Sequence, residues 1–338
     1  MGYGTAAIRH INGSYETVAK ISGSEQYTSL MQELTHPANF TPDGKRIPSE
    51  VSSWKDFALW RSKRRIKKML GQPATTQTAT LSTMVSKLHK AAEIQLGSRI
   101  KAAALSQPDA VTITLEEVDN VFDYFGIEDL MLDNRDPLFD QLFATSAAYA
   151  GYGKGLCRNY TNLYGCGTEE YFLASKWTLF LDYTESSLDG ALRSVQSARM
   201  SRAWDTFVEP ELGLRRLSMY EDEDAYWAKV EDRIREFVGS VRRPVEDLVL
   251  TGESASDPRF LEALRHAFAR SSTGQETLEA LEMLIQADDG PDFLYATAKG
   301  AAEFAKRRQE GMARCLLPEK CRRREDQSEN EIGRSEEL

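Results

Sequence analysis

Residues 245–264, VEDLVLTGESASDPRFLEAL, constrain the fold more than any other part of this chain. Leu248, Val249 and Leu250 form a short apolar run suited to a covered strand. Gly252, Ser254 and Ser256 then keep side chains small where the backbone would approach a ligand. Asp257 or Ser256 can cap the helix that follows, with Pro258 at its first position and Phe260, Leu261 and Leu264 on one face. Strand, small-residue turn and helix in this order build a turn that faces phosphate or nucleotide. The same order also serves a purely structural junction.

A chain of 338 residues buries a large core and normally divides into two domains or lobes. Its 52 acidic and 42 basic residues leave a net charge of −10, which opposes nucleic acid and anionic membrane as partners. No apolar run is long enough to span a bilayer, and no basic stretch followed by an apolar one opens the chain. The expectation is therefore a soluble, cytoplasmic protein without membrane attachment. Cys157, Cys166, Cys315 and Cys321 fit neither a redox pair nor a zinc knuckle, so they read as free thiols. His10, His36, His89 and His266 show no metal-like spacing.

Along the chain, Ile8 to Ile11 and Tyr15 to Ile21 are β-prone runs joined by Asn12-Gly13, a strong hairpin signal. Gly2-Tyr3-Gly4-Thr5 lies just before. After a loop-like stretch at 41–53, residues 54–70 read as a helix with a basic second half containing Arg61, Lys63, Arg64, Arg65, Lys67 and Lys68. Residues 72–80 read as a linker, and 81–96 as a helix stopped by Gly97. A strand at 100–105, a helix from Thr114, a short strand at 130–132 and a helix at 137–151 follow. Trp177 to Leu181 is an apolar strand ending on Asp182, and 187–200 can continue as strand or as helix. Helices are expected at 221–238, 277–286 and 292–308, and the tail from 317 to 338 reads as charged and disordered. Alternating strands and helices argue for an α/β architecture.

Taken in order, these pieces resemble the nucleotide-binding domain of the seventy-kilodalton heat-shock chaperones, a branch of the two-lobed, ribonuclease H-like, actin-like ATPase fold. Gly2-Tyr3-Gly4-Thr5-Ala6 resembles the first phosphate loop, and Lys67-Lys68-Met69-Leu70-Gly71 a lysine-bearing segment. The stretch from Ser82 to Gly97 resembles the helix before the second strand pair, and Ala144 to Ala150 a connecting helix. Leu179 to Tyr183 is similar to the strand entering the second phosphate loop, Leu250 to Ser254 to the adenosine-side turn, and Ala298 to Ala302 to the second connecting helix. The resemblance implies lobes at 1–155 and 156–316. It also implies ATP or ADP with magnesium as ligand, Lys67, Asp182 and Asp189 in the catalytic places, and Asp182 and Asp189 near the metal. Gly2, Gly4, Thr5, Ser187, Gly252 and Ser254 would line the nucleotide, whose phosphates the fold holds through backbone N–H groups.

The departures from that family point the other way. Gly2 replaces the acidic residue of the first loop, and Thr184-Glu185-Ser186 stands where three glycines belong, crowding the phosphates and adding repulsion. Phe143-Ala144 replaces Glu-Pro before the connecting helix, and Glu253 replaces a glycine. Asp182 to Gly252 is shorter than the family's stretch, and its reduced subdomain would clasp adenosine less fully. The family's first strand is almost absent, and no room for a substrate-binding domain follows Arg308. The expectation is a shortened, weakly catalytic or non-catalytic relative that senses nucleotide or engages a protein partner. A slow magnesium-dependent ATPase is the alternative. The basic run at 61–68 lacks an aromatic platform, so a nucleic-acid role ranks last.

Overall fold

The computed structural model describes residues 2–35, 54–111, 113–132, 141–241, 243–271, 274–286 and 292–311. The chain opens with a hairpin of β1 (Tyr3–Arg9) and β2 (Tyr15–Ser22), paired antiparallel around the Asn12-Gly13 turn. The hairpin was expected, but its first strand begins earlier, so Tyr3-Gly4-Thr5 is strand and not loop. Next comes α1 (Glu25–Leu34), whose amide at Tyr27 donates to the Ser24 cap at 3.2 Å and which buries Leu30, Met31 and Leu34. This helix escaped the sequence reading.

The basic helix is α2 (Trp54–Met69), and α3 (Thr76–Leu96) follows it. The expected linker ends at Thr75, because its Oγ1 accepts the Thr78 amide at 2.9 Å and starts the helix there. Beyond Gly97 the expected strand at 100–105 shrinks to β3 (Ala102–Ala103) and β4 (Ser106–Gln107), since alanine-rich backbone offers little for a sheet to pack against. Helix α4 (Leu115–Phe125) starts at a Thr114/Glu117 capping box, and β5 (Glu128–Asp129) follows. The strand expected at 130–132 is thus displaced, and Leu130 and Met131 enter the core instead. Two parallel pairings result, β3 with β5, and β4 with β6 (Leu142–Phe143). Of the helix expected at 137–151, residues 144–151 are helical, as α5 (Ala144–Gly151), residues 141–143 are not, and residues 137–140 lie outside the described residues.

After α6 (Leu163–Tyr171) comes a complete sheet made of β7 (Lys176–Tyr183), β8 (Leu188–Val195), β9 (Ser201–Glu209) and, beyond α7 (Glu223–Gly239), β10 (Asp247–Thr251). The open choice at 187–200 resolves as strand. The order is β10-β7-β8-β9, with β7, β8 and β9 an antiparallel meander and β10 parallel to β7. Helices α8 (Pro258–Ala269), α9 (Gln275–Ile285) and α10 (Ala296–Glu310) complete the elements of the described residues. The described residues form a mixed α/β structure, and no helix among them is long and apolar enough to cross a membrane.

Three apolar cores hold these elements. The largest packs α7, α8 and α9 on one face of the β7–β10 sheet, where Tyr183 stacks on Phe260 at 4.1 Å and shares a 2.9 Å hydrogen bond with the Tyr226 hydroxyl. A second, on the sheet's other face, gathers Phe180, Ala191 and Val249 against α5 and α10. The third lies in the N-terminal region between α1, α3 and α4. Helices α5 and α10 cross in backbone contact: a Cβ at Gly300 would stand 1.6 Å from the Ala147 carbonyl oxygen, and one at Gly151 would stand 1.9 Å from that of Ala296. Only glycine permits that approach.

The free-thiol expectation is corrected for two cysteines. Cys157 and Cys166 form a buried disulfide, which sequence spacing alone does not specify. Cys315, Cys321 and the tail at 317–338 lie outside the described residues.

Candidate functional site

The turn residues singled out in the sequence meet the N-terminal hairpin at the carboxyl end of the parallel pair β7 and β10. Open α/β sheets collect ligands at such strand ends. Asp182, the next-to-last residue of β7, pairs in register with Asp189 of β8, so two carboxylates project side by side from one face. The Thr251 hydroxyl, at the end of β10, donates to Asp182 Oδ1 at 2.8 Å. Asp189 Oδ1 is buried and has no hydrogen-bond partner among the described residues. Burial pushes the Asp189 carboxyl up to about 7, and the charge of Asp182 adds to the rise. Tyr3 of β1 faces the same pair, and its phenol is pushed well above its usual range by burial and then by the charges of Asp182 and Asp189.

Gly4, Thr5, Asp182, Asp189 and Gly252 all line one cavity of about 710 Å³. Gly2 abuts the next turn, where a Cβ on it would stand 3.2 Å from Ser186 Oγ. Ser187 and Ser254 are buried behind that wall, holding the turns and not lining the cavity. Gly252 is in the left-handed region with φ +110°, packed so closely that an added Cβ would lie 2.1 Å from the Tyr183 carbonyl oxygen. Its amide donates to Phe293 O at 3.1 Å, so the glycine satisfies a packing need whatever the cavity holds. Lys67 does not join the site. It sits on the exposed face of α2 and is not among the residues lining the cavity, so the place that resemblance gave it has no counterpart in the geometry.

The turn at 184–187 decides what the cleft can hold. Its four amides are all bonded within the protein: Thr184 N donates to Ser187 O at 3.0 Å, Glu185 N to Glu253 Oε1 at 3.2 Å, and Ser186 N and Ser187 N to Thr184 Oγ1 at 3.2 and 3.0 Å. The carbonyls of Thr184 and Glu185 accept from Leu214 N and Arg215 N at 3.0 and 3.1 Å. A phosphate cradle requires free N–H groups aimed outward, and here a threonine hydroxyl and a glutamate carboxylate already take those bonds. Glu253 is held in turn by an ion pair with Lys20 of β2, whose ammonium lies 5.3 Å from the centre of the Tyr3 ring. Lys20 was missed in the sequence. The signal that could have found it is its hairpin register, which sets it opposite Thr5.

The donor set fits a hard divalent cation: two adjacent carboxylates, with one oxygen buried and unpartnered among the described residues. It does not fit a phosphate directly, because the turn amides are occupied and Glu185 and Glu253 add negative charge. A separate group, Cys157, Cys166 and Glu170, brings three metal-binding residue types together, but the disulfide leaves no thiolate to ligate. Arg64 and Lys68 of the basic run pair with Glu116 and Asp123 of α4 at 3.1 and 2.7 Å, so part of that run ties helices together. The sequence matches no protein-family model and no curated protein.

Proposed function

We propose that the chain is a shortened, two-lobed, actin-like ATPase-fold protein of the heat-shock chaperone kind, weakly catalytic or non-catalytic, that senses nucleotide or engages a protein partner. The observation that carries this reading is the meeting of β1, the Asp182/Asp189 pair and the Gly252 turn around one cavity. An antiparallel three-stranded meander extended by a parallel strand suits a ribonuclease H-like lobe, and the close crossing of α5 and α10 suits a pair of connecting helices. Asp182 and Asp189 would hold magnesium, which supplies charge neutralisation for a bound di- or triphosphate. Thr251 fixes the Asp182 carboxylate by its hydrogen bond, and Tyr3 lies close enough to both carboxylates to feel their charge.

The same geometry favours a sensor over an engine. Stabilising transferring phosphate needs pre-organised donors, and those of the 184–187 turn are bonded internally. Calorimetric titration of the full chain with ATP and magnesium should show weak binding that Asp182→Ala removes, with no phosphate release above background. Turnover like that of an ordinary chaperone ATPase, abolished by Asp182→Ala, would establish the magnesium-dependent enzyme instead. Absence of any binding heat would leave a structural remnant.

A further inference from the structure

The cavity that reaches Asp182 and Asp189 does not end there. It runs along the whole of β1, touching each residue from Tyr3 to Arg9, while no residue of β2 lines it. It therefore lies on the edge of β1 opposite its hairpin partner, and among the described residues β1 has no other strand neighbour. Its far bank is the segment from Arg99 to Ala110, containing β3 and β4, whose pairing edges face away toward β5 and β6. Among the described residues, β1 and the 102–107 segment thus both border one gap and do not pair with each other.

The walls above and below are those of a buried sheet. Gly4 faces Met84 and Leu88 of α3, and Arg9, of opposite parity, reaches Glu303 of α10 at 2.7 Å. The gap continues between those two helices, lined by Met84 and Leu88 on one side and by Ala298 and Ala302 on the other. A strand at ordinary spacing between packed layers occupies roughly 160 Å³ per residue. The volume of about 710 Å³ thus matches an extended segment of about four or five residues. Backbone edges in an apolar slot are costly unless paired, and a further strand meets that need where a compact apolar molecule cannot.

We propose that this slot accepts an extended peptide segment of a partner protein, which adds a strand between β1 and the 102–107 segment. Its recognition chemistry follows from the lining: apolar side chains toward α3 and α10, and a basic side chain at the end where Asp182 and Asp189 stand. The proposal does not require nucleotide binding, and a peptide lysine on Asp182 and Asp189 would compete with magnesium there.

The test is fluorescence anisotropy of a fluorescein-labelled Lys-Val-Ile-Val-Ile-Ser peptide titrated with the full chain, without nucleotide or magnesium. Saturable binding is expected, weakened at least tenfold when proline replaces the central valine and severalfold when glutamate replaces lysine. Ala104→Trp should fill the slot and abolish binding. Amide hydrogen exchange on the unmodified protein supplies a second readout: Tyr3 to Arg9 should gain protection when the peptide is added. No binding, equal binding of the proline peptide, or protection confined elsewhere overturns the proposal. So does an apolar dye that occupies the slot and is not displaced by peptide, which marks a small-molecule cavity. Concentration-dependent dimerisation that protects β1 without peptide also overturns it, by making a second copy the occupant. Failure here would leave the ATP titration outcome unaffected.

Discussion

The region around β7–β10 and the region around the N-terminal hairpin are built on the same plan, a sheet between helical layers, yet only one is filled. In the first, four strands pair in one sheet, with a register shift between Leu192 and Arg193, and both faces carry dense cores. In the second, a two-stranded hairpin and two two-residue pairings surround a cavity of about 710 Å³. The contrast teaches that helices can close around an incomplete sheet when their own apolar stripes, here those of α1, α3 and α4, find one another. Stability then resides unequally in the two regions, and ligand access resides where it is lower.

The strongest attack on this comparison is at the crossing that joins the regions. Gly300→Leu places side-chain atoms where the Ala147 carbonyl now stands, and should cost about 4 kcal/mol or more, leaving little folded protein by circular dichroism. Next, matched truncations should separate the two cores in chemical denaturation. Phe260→Ala, in the filled region, should cost about 3–5 kcal/mol. Met84→Ala should cost about 1–2 kcal/mol, below the usual range for a buried methionine, because Met84 borders space and not atoms on its cavity side. Equal losses would show that the cavity is closed in solution.

A smaller effect concerns Asp129 in the N-terminal region, whose carboxyl burial raises from 3.8 to about 6. A raised folded-state value means that folding favours the neutral acid. That contribution is complete below about pH 4 and is lost as pH climbs through about 6. Asp129→Asn stays neutral, so its stability relative to the unmodified protein should rise by about 1–2 kcal/mol between pH 4 and 7, read from melting curves. The smallest expected change is functional. Glu253→Gly frees the Glu185 amide and removes a negative charge, and should tighten binding of ATP with magnesium by a few fold in calorimetry.

Much of the filled region was legible. Leu248 to Leu250 announce a strand by unbroken apolarity, and Pro258 after Asp257 announces a helix start by local chemistry. Asp182 was singled out because a strand's carboxyl end is a local feature too. The N-terminal region was harder: α1 has a modest pattern under a single serine cap, and the strands near 102–107 are so short that neighbours, not propensity, decide them. The Cys157–Cys166 bond depends on a distance no spacing rule supplies. That bond also bears on the expected cytoplasmic location, since disulfides persist in oxidising surroundings. Lys67 looked catalytic only through resemblance, and the fold turns it to solvent.

The bond from the Glu185 amide to Glu253 has one more consequence. A carboxylate fixed on the neighbouring turn is a tethered competitor, and short tethers present their ends at millimolar effective concentrations. Under the nucleotide reading proposed above, an incoming anion must outcompete that resident, so the cleft would answer to abundant ligands more readily than to traces.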